Sequence, residues 1–297
     1  MKIEKVGVVG CGLMGHGIAQ VAAQAGFQVT VVEAEQGFLD KGLQRIEKSL
    51  AKMAEKAVKK GKATAEDAEK QSQESFARIH GSLERKDLAD CDLVVEAIVE
   101  NLDVKKQLFS ELGGICKAET VFASNTSSFP IAEMAAASGR PERFVGLHFF
   151  NPVQLMRLVE VVQTDETDED VFGAARSFGE AVGKVPVGCK DTPGFIVNRL
   201  LVPYMTQALE MLERGDATKE DIDAAMQYGC GYPMGPLTLT DYVGLDTTLY
   251  ILEGWVERFP DEPAFSIPGI LREKVKAGKL GRKSGEGFYR WDGDKKS

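Results

Sequence analysis

The sequence predicts a doubly wound, mainly parallel α/β sheet with a helical hairpin insertion, followed by an all-α C-terminal domain. Three observations support this prediction. Short valine-rich runs typical of buried strands alternate with helical patterns in the first part of the chain. A long amphipathic pattern at residues 41–62 interrupts that alternation. Beyond residue 187 helical patterns dominate and strand patterns nearly disappear. We therefore divide the chain into domains 1–187 and 188–297.

The first three elements form a βαβ unit. Residues 5–10 have the pattern of a buried strand, residues 13–25 that of a helix stopped by Gly26, and residues 28–33 that of a second valine-rich strand. The uncharged run 6–32 also invites comparison with a secretory signal. Its six glycines, three glutamines and one histidine are poor material for an apolar signal core, so we interpret the run as part of the folded domain.

The later patterns continue the alternation and then change character. Between residues 38 and 80 we predict the helical hairpin. Strands are predicted at residues 92–97, 121–125, 144–149 and 158–163, with helices at 104–112 and 171–182. In the second domain helices are predicted at 195–214, 219–228 and 239–258, and a frayed tail at 292–297.

Composition narrows the possible functions. The 297 residues carry a net charge of −9, so the long-range field repels nucleic acid and anionic lipid, and we expect neither as a partner. The five cysteines are scattered, odd in number and lack C-x-x-C spacing, which indicates neither a disulfide framework nor a metal site. We expect a reducing, cytoplasmic compartment.

A glycine fingerprint lies between the first strand and the first helix, at Gly10-Cys11-Gly12-Leu13-Met14-Gly15. In this context the glycines permit a tight turn and let backbone amides approach a pyrophosphate at the helix N-terminus. The acidic Glu33 ends the second strand, where it would accept hydrogen bonds from the adenosine ribose and repel a 2′-phosphate. We predict a Rossmann-type domain that binds NAD in preference to NADP. The alternative is a purely structural glycine turn.

His148 and Glu160 form the candidate catalytic pair. His148 lies near the end of a predicted strand, and Glu160 is a lone carboxylate inside the apolar run 158–162. An unpaired carboxylate is costly to bury, so Glu160 should have a partner, and His148 is the obvious candidate. Taken alone, a strand histidine is more often a satisfied core residue, and an isolated strand glutamate often faces water on one side of the sheet.

Two polar clusters point to the same region. Residues 124–128, which include Ser127, directly follow a predicted strand, where ligands bind in doubly wound folds. Asn198 lies early in the first helix of the second domain. The alternatives are that Ser127 or Ser128 caps the next helix and that Asn198 is an ordinary surface amide.

Several motifs in order make the chain resemble the L-3-hydroxyacyl-CoA dehydrogenase family over essentially its whole length. They are residues 10–15, 93–101, 124–128, 146–152, 191–199 and 235–236. The resemblance implies NAD-dependent hydride transfer at C3 of (S)-3-hydroxyacyl-CoA, with short chains such as acetoacetyl-CoA expected. It also implies a homodimer formed through the second, substrate-binding domain.

The resemblance also implies roles for individual residues. His148 and Glu160 match the catalytic pair, Ser127 the substrate-binding serine that also contacts coenzyme, and Asn198 the active-site asparagine. The expected coenzyme contacts are Gly10, Gly12, Leu13, Met14, Gly15, Glu33, Glu100, Lys105, Ser127, Asn151 and Lys283. Two departures stand out: the family commonly has aspartate where Glu33 stands, and a small residue where His16 follows the fingerprint.

A basic face in the predicted hairpin supports a CoA thioester as substrate. Residues 41–62 contain eight basic and two acidic residues. Six of the basic ones recur at spacings of three and four and form the basic face: Lys41, Arg45, Lys48, Lys52, Lys56 and Lys59. Such a face is often simply solvated. The family resemblance implies that this hairpin binds coenzyme A and that Ser49 and Lys56 contact it. The basic face would then attract the CoA phosphates.

Two other functions remain open on the sequence alone. One is a dehydrogenase of a free 3-hydroxy acid on the same scaffold. The other is a non-catalytic NAD-binding protein descended from a dehydrogenase.

Overall fold

The structure, a computed structural model, describes residues 1–297 in two compact units, Met1–Phe195 and Ile196–Ser297. The division lies later in the chain than the one drawn from the sequence after residue 187. A cut at residue 187 would fall inside strand β8 (Val185–Lys190), which pairs with the sheet of the first unit.

An eight-stranded sheet forms the first unit, in the order β3-β2-β1-β4-β5-β6-β7-β8. Every neighbouring pair is parallel except β6 and β7. The remaining strands are β1 (Lys5–Val9), β2 (Gln28–Val32), β3 (Ile79–Ser82), β4 (Leu93–Glu96), β5 (Val121–Ser124), β6 (Phe144–Phe149) and β7 (Leu158–Gln163). The strand order reverses between β1 and β4, which is where doubly wound sheets bind ligands.

Helices cover both faces of this sheet. They are α1 (Gly15–Gln24), α2 (Gln36–Lys59), α3 (Ala65–Ala77), α4 (Leu102–Ile115), α5 (Ile131–Ala137) and α6 (Glu169–Ala181). Side chains alternate along each strand, so Leu93 and Val95 of β4 join one apolar cluster and Val94 joins the other. Burial on both faces explains the continuous apolar runs that made the strands recognisable.

The predicted hairpin is formed by α2 and α3. Helix α2 buries Leu39, Ile46 and Leu50, and its Gly42 lies so close to Cys11 that a Cβ would clash with the backbone and side chain there. Helix α3 begins where the Thr64 hydroxyl accepts from the Asp67 amide. The hairpin is thereby fixed beside the glycine loop.

The second unit consists of five helices and one short antiparallel pair of strands. These are α7 (Val197–Arg214), α8 (Lys219–Cys230), α9 (Pro236–Val243), α10 (Leu245–Arg258), α11 (Gly269–Lys276), β9 (Trp291–Asp292) and β10 (Lys295–Lys296). The α/β class with a helical second part is thus confirmed. None of the helices combines the length and the apolar content needed to cross a membrane.

Two predictions for the second unit were wrong. Residues 239–258 are not one helix, because Gly244 adopts a φ of +98° and separates α9 from α10. The tail 292–297 is not simply frayed, because β9 and β10 pair and the buried Trp291 donates its indole N–H to the Asp241 carboxylate at 2.8 Å.

Candidate active site

The loop between β1 and α1 needs two of its three fingerprint glycines for steric reasons, and the third lies on its open side. Gly10 has a φ of +93°, and a Cβ there would lie 2.7 Å from the Ala97 carbonyl oxygen. A Cβ on Gly15 would collide with the Gly10 carbonyl, whereas one on Gly12 would meet nothing within 4 Å. Gly12 therefore marks the open side of the loop, where a ligand can approach the backbone.

Glu33 lies beside this loop because β1 and β2 are parallel neighbours. Its Oε1 accepts from the Cys11 amide at 2.5 Å, and its Oε2 accepts from the Ala34 amide at 3.1 Å. The first turn of α1 contains no acidic residue and has no side-chain cap. An open glycine loop, an uncapped helix N-terminus and an adjacent carboxylate fit the pyrophosphate and ribose of NAD.

His16, which stands where the family commonly has a small residue, lies in the first turn of α1. Its Nδ1–H donates to the Gly12 carbonyl oxygen at 2.7 Å, and the side chain is half-buried. The ring is therefore tied to the loop's own backbone.

Antiparallel pairing of β6 and β7 places His148 directly opposite Glu160. The His148 Nδ1–H donates to Glu160 Oε2 at 2.6 Å, and the exposed fractions of the two residues are 6% and 0%. The partner that the sequence argument required for Glu160 is thus His148. With Nδ1 engaged, Nε2 is the ring nitrogen that can exchange a proton with a ligand.

Glu100 fastens the serine loop that follows β5. Its Oε1 accepts from the Thr126 hydroxyl at 2.5 Å, the Ser127 amide at 3.1 Å and the Ser128 hydroxyl at 3.0 Å. Burial alone would raise the pKa of Glu100, but Lys105, 3.1 Å from its Oε2, and the hydrogen bonds from Thr126 and Ser127 hold that pKa below its ordinary value. Glu100 is therefore a charged anchor for the loop.

Glu96 is a residue of this network that sequence reasoning missed. Its side chain is fully buried at the end of β4 and accepts from Lys105 Nζ at 2.6 Å, the Ile98 amide at 2.8 Å and the Ser124 hydroxyl at 2.6 Å. The signal was present, because Glu96 is a lone carboxylate in an apolar run, as Glu160 is. Glu96 neutralises Lys105 where that lysine is 1% exposed.

Other predicted residues of the first unit lie at the same edge of the sheet or on the hairpin. Asn151 is exposed and follows β6. The Asn125 side chain, which follows β5, accepts from the Phe149 amide at 2.9 Å and so links the ends of β5 and β6. Ser49 is half-buried and Lys56 exposed on α2, two turns apart and so on one face. Helix α2 packs mainly on α3 and α1, whereas His148 and Glu160 lie on β6 and β7.

Asn198 and Lys283 belong to the second unit. Asn198 lies in the first turn of α7. The Lys283 ammonium pairs with the Asp246 carboxylate at 2.6 Å, and although burial acts in the opposite direction, the hydrogen bond from Lys283 helps hold the pKa of Asp246 below its ordinary value.

A loop fitted to a dinucleotide and a buried pair fitted to moving a proton together define a dehydrogenase that uses a nicotinamide coenzyme. Residues 5–192 match the family model described as 3-hydroxyacyl-CoA dehydrogenase, NAD binding domain, and residues 194–291 match that of the C-terminal domain. The chain belongs to the 3-hydroxyacyl-CoA dehydrogenase family. The resemblance inferred from the motifs is confirmed.

Individual relatives agree with this assignment. The chain is 50% identical to the mitochondrial hydroxyacyl-coenzyme A dehydrogenase of Homo sapiens over 97% of this chain and 91% of that one. It is 50% identical to a probable 3-hydroxybutyryl-CoA dehydrogenase of Deinococcus radiodurans over 97% and 100% of the two chains. Among solved structures, (S)-3-hydroxybutyryl-CoA dehydrogenase from Ralstonia eutropha has a TM-score of 0.91 at 40% identity, covering 98% of this chain and 100% of that one.

Proposed function

We propose that this protein reversibly transfers a hydride between NAD(H) and C3 of short-chain (S)-3-hydroxyacyl-CoA, with the acetoacetyl-CoA/3-hydroxybutyryl-CoA pair as its substrates. The observation that carries the proposal is the buried His148–Glu160 hydrogen bond in the sheet that bears the dinucleotide loop. Family membership and relatives whose names include 3-hydroxybutyryl-CoA dehydrogenase support the substrate class.

His148 is the general base and acid of the proposed reaction. NAD, when bound, accepts the hydride from C3 or its reduced form returns it. During oxidation His148 Nε2 takes the proton of the 3-hydroxyl, and during reduction it returns that proton to the ketone oxygen. Glu160 fixes the imidazole tautomer through Nδ1 and stabilises the charged ring. We assign Ser127 and Asn198 to hydrogen bonds with the reacting oxygen or the thioester, on the strength of the family motifs that contain them.

The coenzyme site we propose combines the fingerprint with residues that the family resemblance assigns to coenzyme binding. Gly10, Gly12, Leu13, Met14 and Gly15 would present the loop to the pyrophosphate, and Glu33 would bind the adenosine ribose. A carboxylate at that position disfavours the 2′-phosphate of NADP. Glu100, Lys105, Ser127, Asn151 and Lys283 complete the proposed set.

Helix α2 supplies the proposed CoA-binding surface through Ser49, Lys56 and the exposed basic face around them. We expect charge reversal at Lys48 and Lys56 to raise KM for acetoacetyl-CoA about tenfold, because two attractive contacts with phosphate become repulsive, while kcat stays near that of wild type. Steady-state kinetics at low ionic strength measures this. Reversal at the exposed Lys276 and Lys295, which alters net charge equally, is the control. Equal KM values for the two double variants would contradict the assignment.

The second unit is proposed to bind substrate and to form a homodimer. Large apolar side chains are exposed on it, including Leu200, Tyr228 and Tyr250. Sedimentation equilibrium should give twice the mass of the 32.3 kDa chain, and a mass equal to one chain would overturn the dimer. Five free cysteines, three of them buried, support a reducing compartment, and we propose the cytoplasm.

The loss of NADH absorbance on mixing the protein with acetoacetyl-CoA tests the reaction. Parallel assays contain free acetoacetate in place of the thioester, or NADPH in place of NADH. We expect rapid loss only with NADH and the thioester. Loss with free acetoacetate would favour the free-acid dehydrogenase, and no loss with any pair would favour the non-catalytic NAD-binding protein.

A further inference from the structure

Phe195 is the one residue other than glycine with a positive φ in this chain, at +54°. Left-handed backbone is unfavourable for a bulky L-residue because its Cβ approaches a carbonyl oxygen. A glycine would adopt the same conformation at little cost, and Gly194 beside it does so at +75°. The contacts around Phe195 must therefore offset the cost of this backbone conformation.

The turn that carries Phe195 is fixed from several directions. Its amide donates to the Thr192 carbonyl oxygen at 3.0 Å. The Asp191 amide donates to the Gln163 carbonyl oxygen at 3.0 Å, and the Asp191 carboxylate accepts from the Ala132 amide at 2.9 Å, in the first turn of α5. Strained conformations persist where the surroundings determine them in this way, and they concentrate at functional sites.

The ring of Phe195 packs on the imidazole of His148. The two ring centroids are 5.6 Å apart with the planes inclined at 57°, and Phe150 contacts the same imidazole at 4.4 Å and 48°. Phe195 is only 5% exposed. Two aromatic side chains and the Glu160 carboxylate therefore enclose the histidine.

We propose that Phe195 is a positioning residue, whose ring together with Phe150 holds the His148 imidazole in the orientation that keeps Nδ1–H on Glu160 and shields that hydrogen bond from water. The inference rests on the proposed catalytic role of His148. A small rotation of a general base away from its substrate is expensive, since misplacement by about 1 Å can cost about 100-fold in rate.

Titratable groups on β7 and β8 lie near the imidazole. Glu160 of β7 is hydrogen-bonded to the imidazole, and Cys189 of β8 lies close enough to Glu160 to interact with the charge of that carboxylate. Burial, with Glu160 and Asp191 adding to it, raises the pKa of the Cys189 thiol to about 12, so this thiol stays neutral across the working pH range. The rings of Phe150 and Phe195 carry no charge. Because Glu160 is hydrogen-bonded to His148, we expect a Phe195 variant that disturbs this contact to change the pH profile.

The test compares Phe195→Leu with Phe178→Leu. Phe178 is equally buried but packs against Phe27 in the other apolar cluster of the first unit, where it does not contact His148. We expect Phe195→Leu to lower kcat for acetoacetyl-CoA about tenfold to 100-fold, to leave KM within about twofold, and to displace the pH profile of kcat. Phe178→Leu should lower only the thermal midpoint, and Phe195→Tyr should restore most of kcat. Equal kcat values and pH profiles for the two leucine variants would overturn the proposal.

A second measurement separates this proposal from the proposed function. The chain has only three histidines, so the ring-proton NMR signal of His148 can be assigned by its loss in His148→Gln. Phe195→Leu should shift that signal and its titration curve, and Phe178→Leu should leave both unchanged. If His148→Gln retains turnover, the catalytic role of His148 fails. If the His148 signal is the same in Phe195→Leu and wild type, the positioning role fails.

Discussion

Two fully buried glutamates, Glu96 and Glu160, lie in strands of the same sheet and have different partners. Glu96 accepts from Lys105, Ser124 and the Ile98 amide, whereas Glu160 accepts from His148. A lysine ammonium keeps its proton at neutral pH, while an imidazole gains or loses one close to it. The Glu96 network is therefore suited to holding charge in place, and the His148–Glu160 pair to moving a proton.

The partner of each carboxylate also determines how much that carboxylate contributes to the free energy of unfolding. Removing Glu96 leaves a lysine that is 1% exposed with less compensation for its charge. Removing the charge of Glu160 leaves a histidine that can adopt its neutral form. The same sequence signal, a lone carboxylate in an apolar strand, thus leads to a structural role in one case and to a proposed catalytic role in the other.

Among the substitutions of the His148–Glu160 pair, we expect His148→Gln to have the largest effect on turnover. Glutamine fills similar space without acting as a base, so we expect kcat for acetoacetyl-CoA reduction to fall by about 10³-fold. NADH binding, followed by fluorescence titration, should stay near that of wild type because the proposed coenzyme contacts are intact. Turnover within tenfold of wild type would remove His148 from the mechanism.

The paired variants Glu96→Gln and Glu160→Gln separate the two roles. We expect Glu96→Gln to lower the free energy of unfolding by about 3 kcal/mol, because Lys105 loses its fully buried counter-charge. Its kcat at saturating coenzyme should change less than that of Glu160→Gln, which should fall about 100-fold as the imidazolium loses its stabilising charge. Urea unfolding and steady-state kinetics on both proteins measure this. A larger stability loss in Glu160→Gln than in Glu96→Gln would reverse the comparison.

Strands and helices that bury a regular series of apolar residues were predictable from the sequence. The two strands at the edges of the sheet, β3 and β8, were not. β1, α1 and β2 were recognisable because their apolar residues follow strand and helix periods. Strand β3 was missed because its Ile79 is accompanied by a histidine, a glycine and a serine. Strand β8 was missed as well, since it lies at the sheet edge, has no fully buried residue and contains Pro186, which an edge strand tolerates.

The candidate site was also only partly predictable from the sequence. The cost of burying an unpaired carboxylate was enough to suggest the His148–Glu160 contact. The same argument applied to Glu96 would have indicated a buried partner, but not which of several lysines supplies it. The contact of Phe195 with His148 depends on a left-handed backbone that no periodicity reports. The roles of the site residues, including Ser127, Asn198 and Lys283, stay predictions.

The smallest expected effect concerns Glu100, which joins the Lys105 network to the serine loop. Its pKa in the folded protein lies below its ordinary value, so its charge contributes stability above the unfolded-state pKa, about 4.3, and that contribution is lost as pH falls toward the folded-state value. Glu100→Gln should therefore be less stable than wild type at pH 7, with the difference shrinking below about pH 4. Urea unfolding midpoints at the two pH values measure it, with the exposed Glu119→Gln as the control. A difference from wild type that stays constant between pH 7 and pH 3.5 would mean that the charge of Glu100 does not stabilise this loop.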